Sequence, residues 1–579
     1  MTSQAQNAAP GFVAPVRLKQ RWSMETVLCF GLMLALASFV IYPIFLLVRD
    51  AFIVTGADGI ETTGLKNWTE VWSEPGLVKS VINTFNRAVV TTLVSLPLAV
   101  LLAWLVTRTD LPGKRFITIC AWVAFFMPTL PVVLGWILLL DPHYGLLNEL
   151  AKNWLGLTAA PFNIYSFWGI IFAHLMTKAI AIKFIFLVPA FRNISSALEE
   201  ASSMAGANRF YTMRRIVVPV LAPAILITTV IALINSLESF EIELVLGASW
   251  NFHVFSTKIY QLMRDDPPAI GMATVLGVSV LLSMLPLIGV QRWFGSRRNY
   301  VTLNSSFKSD PARLNKARWP IFAGVALFAL CLTVVPLAFL VLGTFMKAFG
   351  YFNLPQPYTM SHWHLVLNDS QFISSIFNTL KLGIGASLIG CILGAAIAYV
   401  CVRTKFRYRA IIDVLTWLPA SIPGIILGLG LLSMFLRVPI FTPLYGTVGV
   451  LIVAVLFGSL TTGVQLIKSN LVQLGADLEE ASALTGGSCL YTFRRVVLPL
   501  VGGVLVTVAI LTFASATRNV ANIAMLVTNE NQPLAMLQLG FMADGIFESA
   551  AIVGVITTLI SCGVAALAFL VGKRIGLRI

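Results

Sequence analysis

The sequence predicts an all-α integral membrane protein whose twelve transmembrane helices form two parallel six-helix repeats. Three observations predict it. Only 11% of the 579 residues are charged and 58% are hydrophobic, where a soluble domain carries about 25% charged residues, so lipid must cover much of the surface. Twelve apolar runs approach the length of about 20 residues that a helix needs to cross a bilayer. The second six runs repeat the first six in order and in landmark residues.

The first half gives spans at 25–48, 86–107, 116–140, 165–190, 217–237 and 270–291. The second gives 320–345, 376–402, 411–436, 446–468, 497–517 and 550–572. Basic residues gather in alternate loops: Arg108, Lys114 and Arg115; Arg403, Lys405, Arg407 and Arg409; the linker with Arg292, Arg297, Arg298, Lys308, Arg313, Lys316 and Arg318; and the tail with Lys573, Arg574 and Arg578. An even number of spans separates these groups, so they share one face, which the positive-inside rule makes cytoplasmic. The other loops hold most of the acids, among them Asp50, Asp58, Glu61, Glu70, Glu74, Asp265 and Asp266. The polar start with Arg17, Lys19 and Arg21 precedes an apolar run too long for a signal peptide, so both termini are expected inside. The expected division is a cytoplasmic tail at 1–24, a first six-helix domain at 25–291 (core about 80–291), a basic linker at 292–319 and a second domain at 320–579 (core about 375–572).

The net charge of +15 is then explained by the cytoplasmic face. No long basic soluble segment exists to hold nucleic acid. The seven cysteines, Cys29, Cys120, Cys331, Cys391, Cys401, Cys489 and Cys562, form no CxxC pair and read as small hydrophobes rather than a disulfide or metal framework.

The repeat is explicit. Asn83-Thr84 recurs as Asn378-Thr379, and at the same offset Trp68, Arg108, Trp122, Pro128 and Gly135 recur as Trp363, Arg403, Trp417, Pro423 and Gly430. Glu200-Ala201-Ser202 recurs as Glu480-Ala481-Ser482 at a smaller offset, because the loop around 141–164 is longer than its counterpart around 437–445. Substrate sites in repeat-built transporters tend to lie where the repeats meet.

One segment stands out in each half, between its fourth and fifth spans on the basic face. The copies read EEASSMAGANRFYTMRRIVVP, from Glu199, and EEASALTGGSCLYTFRRVVLP, from Glu479. The acidic and small residues favour a short helix, and small side chains let another surface approach. Gly206 and Gly486 can take positive φ and end the helix. Arg214-Arg215 and Arg494-Arg495 fall at headgroup level, and Pro219 and Pro499 fit the first turn of the next span.

This pattern resembles the EAA loop of type I ABC importer permeases, over roughly 80–290 and 375–570. Glu200, Ala201, Gly206, Ile216 and Pro219 match, with Ser202 and Val218 as departures; Glu480, Ala481, Gly486, Leu498 and Pro499 match in the second copy, with Ser482 and Val496 as departures. The resemblance implies that the two loops dock on a separate homodimeric ATPase, with Glu200 and Glu480 as charged contacts and the alanines and glycines as packing surface. It also implies a periplasmic solute-binding protein. The chain has no GxxxxGK[ST] loop, so ATP and Mg belong to the partner and this chain is expected to bind no cofactor of its own. No HExxH or GxSxG supports catalysis.

Ionisable residues in spans mark candidate substrate contacts. Glu238, Glu241 and Glu243 crowd the end of span 5, where one helix face could present Glu238 and Glu241 and three carboxylates would suit a cation. Arg518 and Asn519 occupy the equivalent place in span 11, with Arg518 able to pair with a glutamate across the interface. Lys178, with His174 near it, lies deep in span 4 and would suit an anion; Lys183 is expected to snorkel toward the cytoplasmic end. His362 and His364 form an HxH whose register with Asn67 favours packing over metal binding. The resemblance of a fused double permease is to the iron(III) branch, with polyamine, thiamine and aminoethylphosphonate branches as alternatives. An ion-gradient-driven secondary transporter is the alternative of another class.

Overall fold

The computed structural model describes residues 24–55, 60–193, 197–297, 313–475 and 477–574. The expected N-terminal tail, most of the linker's centre and the extreme C-terminus, with Arg17, Lys19, Arg21, Asp58, Arg298, Lys308 and Arg578, lie outside the described residues. Among the described residues, nine helices are long and apolar enough to cross a membrane, and three bent pairs bring the number to twelve. They coincide with the twelve expected runs. Spans 1, 2, 4, 5 and 6 are Thr26–Asp50, Pro75–Arg108, Phe167–Arg192, Met213–Leu237 and Ile270–Leu287. Spans 7, 8, 10 and 12 are Asn315–Thr344, Ser370–Arg403, Val448–Gln473 and Phe547–Leu567.

Three spans are broken. Span 3 is Lys114–Phe126 followed by Thr129–Leu140, bent by 106°, and span 9 is Arg409–Ser421 followed by Gly424–Arg437, bent by 112°. Span 11 is Phe493–Leu500 followed by Gly502–Arg518, bent by 72°. The paired prolines explain the first two. Pro128 and Pro423 each sit just before the second segment in extended backbone, where a proline can neither continue the preceding helix nor supply an N–H to it. The new helix starts there because its first turn needs no such donor.

The paired glycines explain how the halves join. In span 3, a Cβ on Gly135 would collide with the carbonyl of Pro336 in span 7. In span 9, a Cβ on Gly430 would meet the carbonyl oxygen of Pro43 in span 1 at 2.8 Å. The first span of each sequence half therefore crosses the third span of the other half at backbone distance, and the halves interlock. Close crossings of this kind need a residue without a side chain. We expect Gly135→Val to cost about 1–3 kcal/mol through overpacking, read as a lower melting temperature of the purified protein in detergent. Val at Gly289, where no atom lies within 4 Å of a Cβ, serves as the control.

Side-chain contacts join loops within each face. On the acidic face, Asp50 accepts from Ser433 at 2.8 Å and lies 3.7 Å from Arg437, which also reaches Glu61 at 3.4 Å. Glu548 accepts from the Phe349 N–H at 2.6 Å. On the basic face, the Leu314 N–H donates to Asp110 at 2.7 Å. These contacts join loops that twelve crossings place on the same side.

The Asn-Thr repeat has a mechanical role. Span 5 is followed in the first half by helix Phe255–Arg264, and span 11 in the second by helix Leu534–Ala543. Asn83 donates to the His253 carbonyl at 3.0 Å while Thr84 accepts the Phe255 N–H at 2.9 Å. Asn378 donates to the Glu530 carbonyl at 2.9 Å while Thr379 accepts the Leu534 N–H at 2.8 Å. Each pair ties span 2 or span 8 to the start of the next loop helix, satisfying an N–H that the helix leaves open.

Candidate functional site

Two regions carry candidate function: the paired loops on the basic face and a polar cavity where the halves meet. In the first loop a helix spans Ala197–Met204, and in the second Asp477–Leu484. Gly206 and Gly486 take φ of +80° and +82°. The Ala207 N–H returns to the Ser202 carbonyl at 3.1 Å and the Gly487 N–H to the Ser482 carbonyl at 2.8 Å. This is the Schellman ending that a left-handed glycine permits.

Both helices are held by the same two ties, one to the short helix just before the next span (Arg209–Thr212 or Cys489–Thr492) and one to the end of an earlier span. The Ser202 hydroxyl is 2.8 Å from that of Thr212, and Ser482 is 2.8 Å from Thr492. The serines that depart from the family pattern are thus half of a repeated hydrogen bond. Arg108 at the end of span 2 reaches Glu199 at 3.5 Å, and Arg403 at the end of span 8 reaches Glu479 at 2.9 Å. Burial raises the Glu479 carboxyl above the usual carboxylate range against the opposing pull of Arg403. The first glutamate of each pair therefore faces the bundle. Glu480, Ala201 and Ala481 are exposed, while the side chain of Glu200 lies outside the described residues. Pro219 is the second residue of its helix and Pro499 the second of a three-residue turn, each just after a π-helical turn.

Sequence reasoning missed the most exposed apolar residues of these loops. Met204 is 91% exposed and Leu484 89%. They occupy the same position in both copies. Tyr211 and Tyr491 are exposed beside them. The signal was an apolar residue repeated in a loop that the membrane cannot cover.

The cavity, about 310 Å³, is lined from the first half by Lys178, Lys183, Glu238 and Glu241, and from the second by Arg518, Asn519 and Asn522. Its walls include Thr129 and Gly424, the first residues after the breaks in spans 3 and 9. Discontinuous helices meeting at a repeat interface are where transporters of this construction bind solute. Lys178 lies in a π-helical turn, Leu175–Ala179, within span 4. The matching stretch of span 10 is unbroken α-helix, with Gly458 at the equivalent position. Single π-turns inside helices often mark functional positions.

The glutamates separate into different roles. Span 5 ends at Leu237, Glu238 caps it and Glu241 starts the next helix, so the two do not share a helix face as expected. Both still reach the cavity. Glu243 does not line it: its carboxylate is 2.9 Å from the Arg87 guanidinium and 2.8 Å from His174 Nε2, and it accepts from Ser239 at 2.6 Å. Arg87 and Glu243 side chains are wholly buried. The expectation of three carboxylates around one solute is corrected to two, because Arg87, absent from the sequence reasoning, consumes the third. The repeat equivalents Leu382, Ala454 and Ile523 cannot build a second such cluster.

Among the described residues Arg518 makes no close ion pair with Glu238 or Glu241, although all three line the cavity. Its guanidinium donates to the Phe125 carbonyl and lies 4.8 Å from the Phe125 ring centre. Glu241 also accepts the Val520 N–H at 3.2 Å, crossing between the halves. Lys183 does not snorkel. It is 3% exposed, donates to the Ala179 carbonyl at 3.1 Å and lines the cavity. His362 lies 3.3 Å from the Lys347 carbonyl, as Asn67 donates to the Ile53 carbonyl at 2.7 Å, so its place in the repeat is structural. Among the described residues no cluster of three or more His, Cys, Asp or Glu could hold a metal ion, and the six described cysteines are free thiols.

A multi-pass bundle with doubled basic-face loops and a charged cavity between repeats is the construction of a membrane permease. The chain belongs to the family described as binding-protein-dependent transport system inner membrane component, whose model matches residues 79–300 and 386–577. The ferric transport system permease protein FbpB of Actinobacillus pleuropneumoniae is 27% identical over 530 residues, covering 89% of this chain and 73% of that protein. The Fe(3+)-transport system permease protein FbpB 2 of Haemophilus influenzae is 22% identical, covering 84% of this chain and 88% of its own. The molybdenum transport system permease protein ModB of Escherichia coli K12 is 27% identical over 219 residues, 92% of its length and 37% of this chain. Just over a third of this chain therefore matches nearly the whole of that permease.

Proposed function

We propose that the chain is the transmembrane subunit of a bacterial ABC importer for iron(III), moving its solute from a periplasmic binding protein to the cytoplasm. The observation that carries this reading is the pair of basic-face helices, each ending on a left-handed glycine, held by the same serine–threonine contact to the short helix before the next span and presenting an exposed apolar residue at the same position. The basic face is the cytoplasm, by the positive-inside rule, and both termini lie there. A homodimeric ATPase grips the two helices, using Met204 and Leu484 as apolar anchors beside Glu200 and Glu480. ATP and Mg remain on that partner. Closure of the ATPase draws the helices together and turns the cavity outward, and hydrolysis returns it inward. Because Ser202–Thr212 and Ser482–Thr492 stiffen the junction between helix and span, motion of the helix is passed on rather than absorbed.

Iron(III) as the solute is supported by relatives named for ferric transport that span most of this chain. The test is uptake of radioactive iron by proteoliposomes. ATP-dependent uptake that requires the ATPase and binding protein is expected. Uptake by the purified chain alone, driven by a proton or sodium gradient, would establish the rival secondary transporter.

A further inference from the structure

The cavity holds more fixed positive charge than a site for a bare metal cation can use. Of its charged side chains, Lys178, Lys183 and Arg518 are cations and only Glu238 and Glu241 are carboxylates, since Glu243 is consumed outside it. A trivalent cation placed there alone would meet net repulsion from the walls.

Backbone polarity adds to this. The second segments of spans 3 and 9, Thr129–Leu140 and Gly424–Arg437, both begin at the cavity wall. Neither start is capped by a side chain. The positive ends of two helices, one from each half, thus adjoin the same space, an arrangement that favours anions. Lys178 Nζ makes no hydrogen bond or close ion pair among the described residues, while its side chain lines the cavity.

One resident carboxylate ties this space to the second half. Glu241 lines the same cavity as Lys178 and Arg518. Its oxygen also accepts the Val520 N–H from the other half. Lys178 and Arg518 come from opposite halves, so an anion held by both would bridge the interface.

We propose that the cavity is an oxyanion-binding site, formed by Lys178 and Arg518 between the two helix starts, for a carboxylate- or phosphate-bearing ligand, with the Glu241 carboxylate opposing that ligand from the same cavity. The metal half of this statement rests on the iron reading: iron then crosses as a complex that still carries an anionic ligand, with Glu238 left to face the metal. The anion site itself stands on the cavity and does not depend on iron.

The experiment is equilibrium binding to the full-length purified chain in lipid nanodiscs, with radiolabelled inorganic phosphate and with ferric citrate as separate probes. Wild type is expected to bind at least one of them. Lys178→Gln and Arg518→Gln are each expected to weaken binding at least tenfold, and Glu241→Gln to tighten it severalfold, because a negative charge facing the anion is gone. A cation site predicts the opposite signs, with Glu241→Gln weakening ferric binding and Lys178→Gln strengthening it, and that result overturns the proposal. No binding of either probe to wild type also overturns it. Where a glutamine variant is not monodisperse, Lys178→Arg, which keeps the charge, replaces it and is expected to retain binding; loss of binding there counts against the site. Binding of ferric citrate but not phosphate identifies an anion brought by the metal. Binding of phosphate but not ferric citrate upholds the anion site and fails the iron reading, so the two failures are distinguishable.

Discussion

Replacing Met204 and Leu484 together by glutamate should abolish capture of the ATPase and reduce ATP-driven uptake by at least about 100-fold, equivalent to roughly 3 kcal/mol of lost attachment. Both side chains are about nine-tenths exposed on loops that carry Glu199 and Glu200 or Glu479 and Glu480. A large apolar side chain on such a loop has no lipid to bury it and gains only when a partner covers it. Few contacts dominate most protein interfaces, and buried apolar anchors are prominent among them. Either single change should leave measurable uptake, because the second helix still docks. Neither substitution touches the folded core, so the melting temperature of the isolated chain should stay unchanged. Quantitative pull-down of the ATPase with each variant, alongside uptake, checks both statements.

The second large effect is expected at Arg87. Arg87→Met should destabilise the chain by about 3–5 kcal/mol, since it leaves Glu243 charged and buried with only His174 and Ser239 as partners. Arg87→Met combined with Glu243→Met should recover much of that loss, because a buried ion pair is often replaceable by apolar side chains of similar volume. The repeat supports this directly: the second half fills the equivalent positions with Leu382 and Ile523 and folds into the same spans. If stability recovers but uptake does not, the cluster serves to hold the π-turn that carries Lys178 and the helix that carries Glu241. Thermal unfolding of both variants, with uptake, separates the two contributions.

Much of the fold was legible because its causes are local. Apolar runs of span length, the alternation of basic loops and the paired residues all follow from one helix meeting lipid, so each expected span has a counterpart in the structure. Gly206 and Gly486 were legible for the same reason, since a glycine after a short helix ends it through its own backbone. The breaks in spans 3 and 9 were not legible. An apolar run of the right length looks the same whether straight or bent, and Pro128 and Pro423 could have kinked the helices mildly instead of turning them by more than 100°. Nor was the exchange of first spans between halves, because Gly135 meets Pro336 only through a contact about two hundred residues distant in the chain.

The site was legible as a set of residues and not as a geometry. Glu238, Glu241, Lys178, Arg518 and Asn519 do line one cavity. What sequence could not give was the partition among them. Arg87 reads as a residue of an ordinary span until span 2 is packed against Glu243, and Lys183 reads as a snorkelling lysine until its helix is placed beside the cavity. The asymmetry is the informative part: the repeat preserves the serine–threonine tie in both halves and departs at the cavity. Charge is concentrated in the first half, while the second contributes Arg518 and the amides of Asn519 and Asn522.

The mechanical claim, that a motor draws the two basic-face helices together, is most directly tested by a distance. Arg215 and Arg495 are exposed equivalents just beyond those helices. Spin labels at Arg215→Cys and Arg495→Cys, in a chain whose seven native cysteines are replaced, report their separation by pulsed electron resonance in the complex with the ATPase. A shorter distance on adding non-hydrolysable ATP, lengthening again without nucleotide, is the predicted result. A separation that stays fixed in an ATPase-bound complex that still imports its solute would contradict the account.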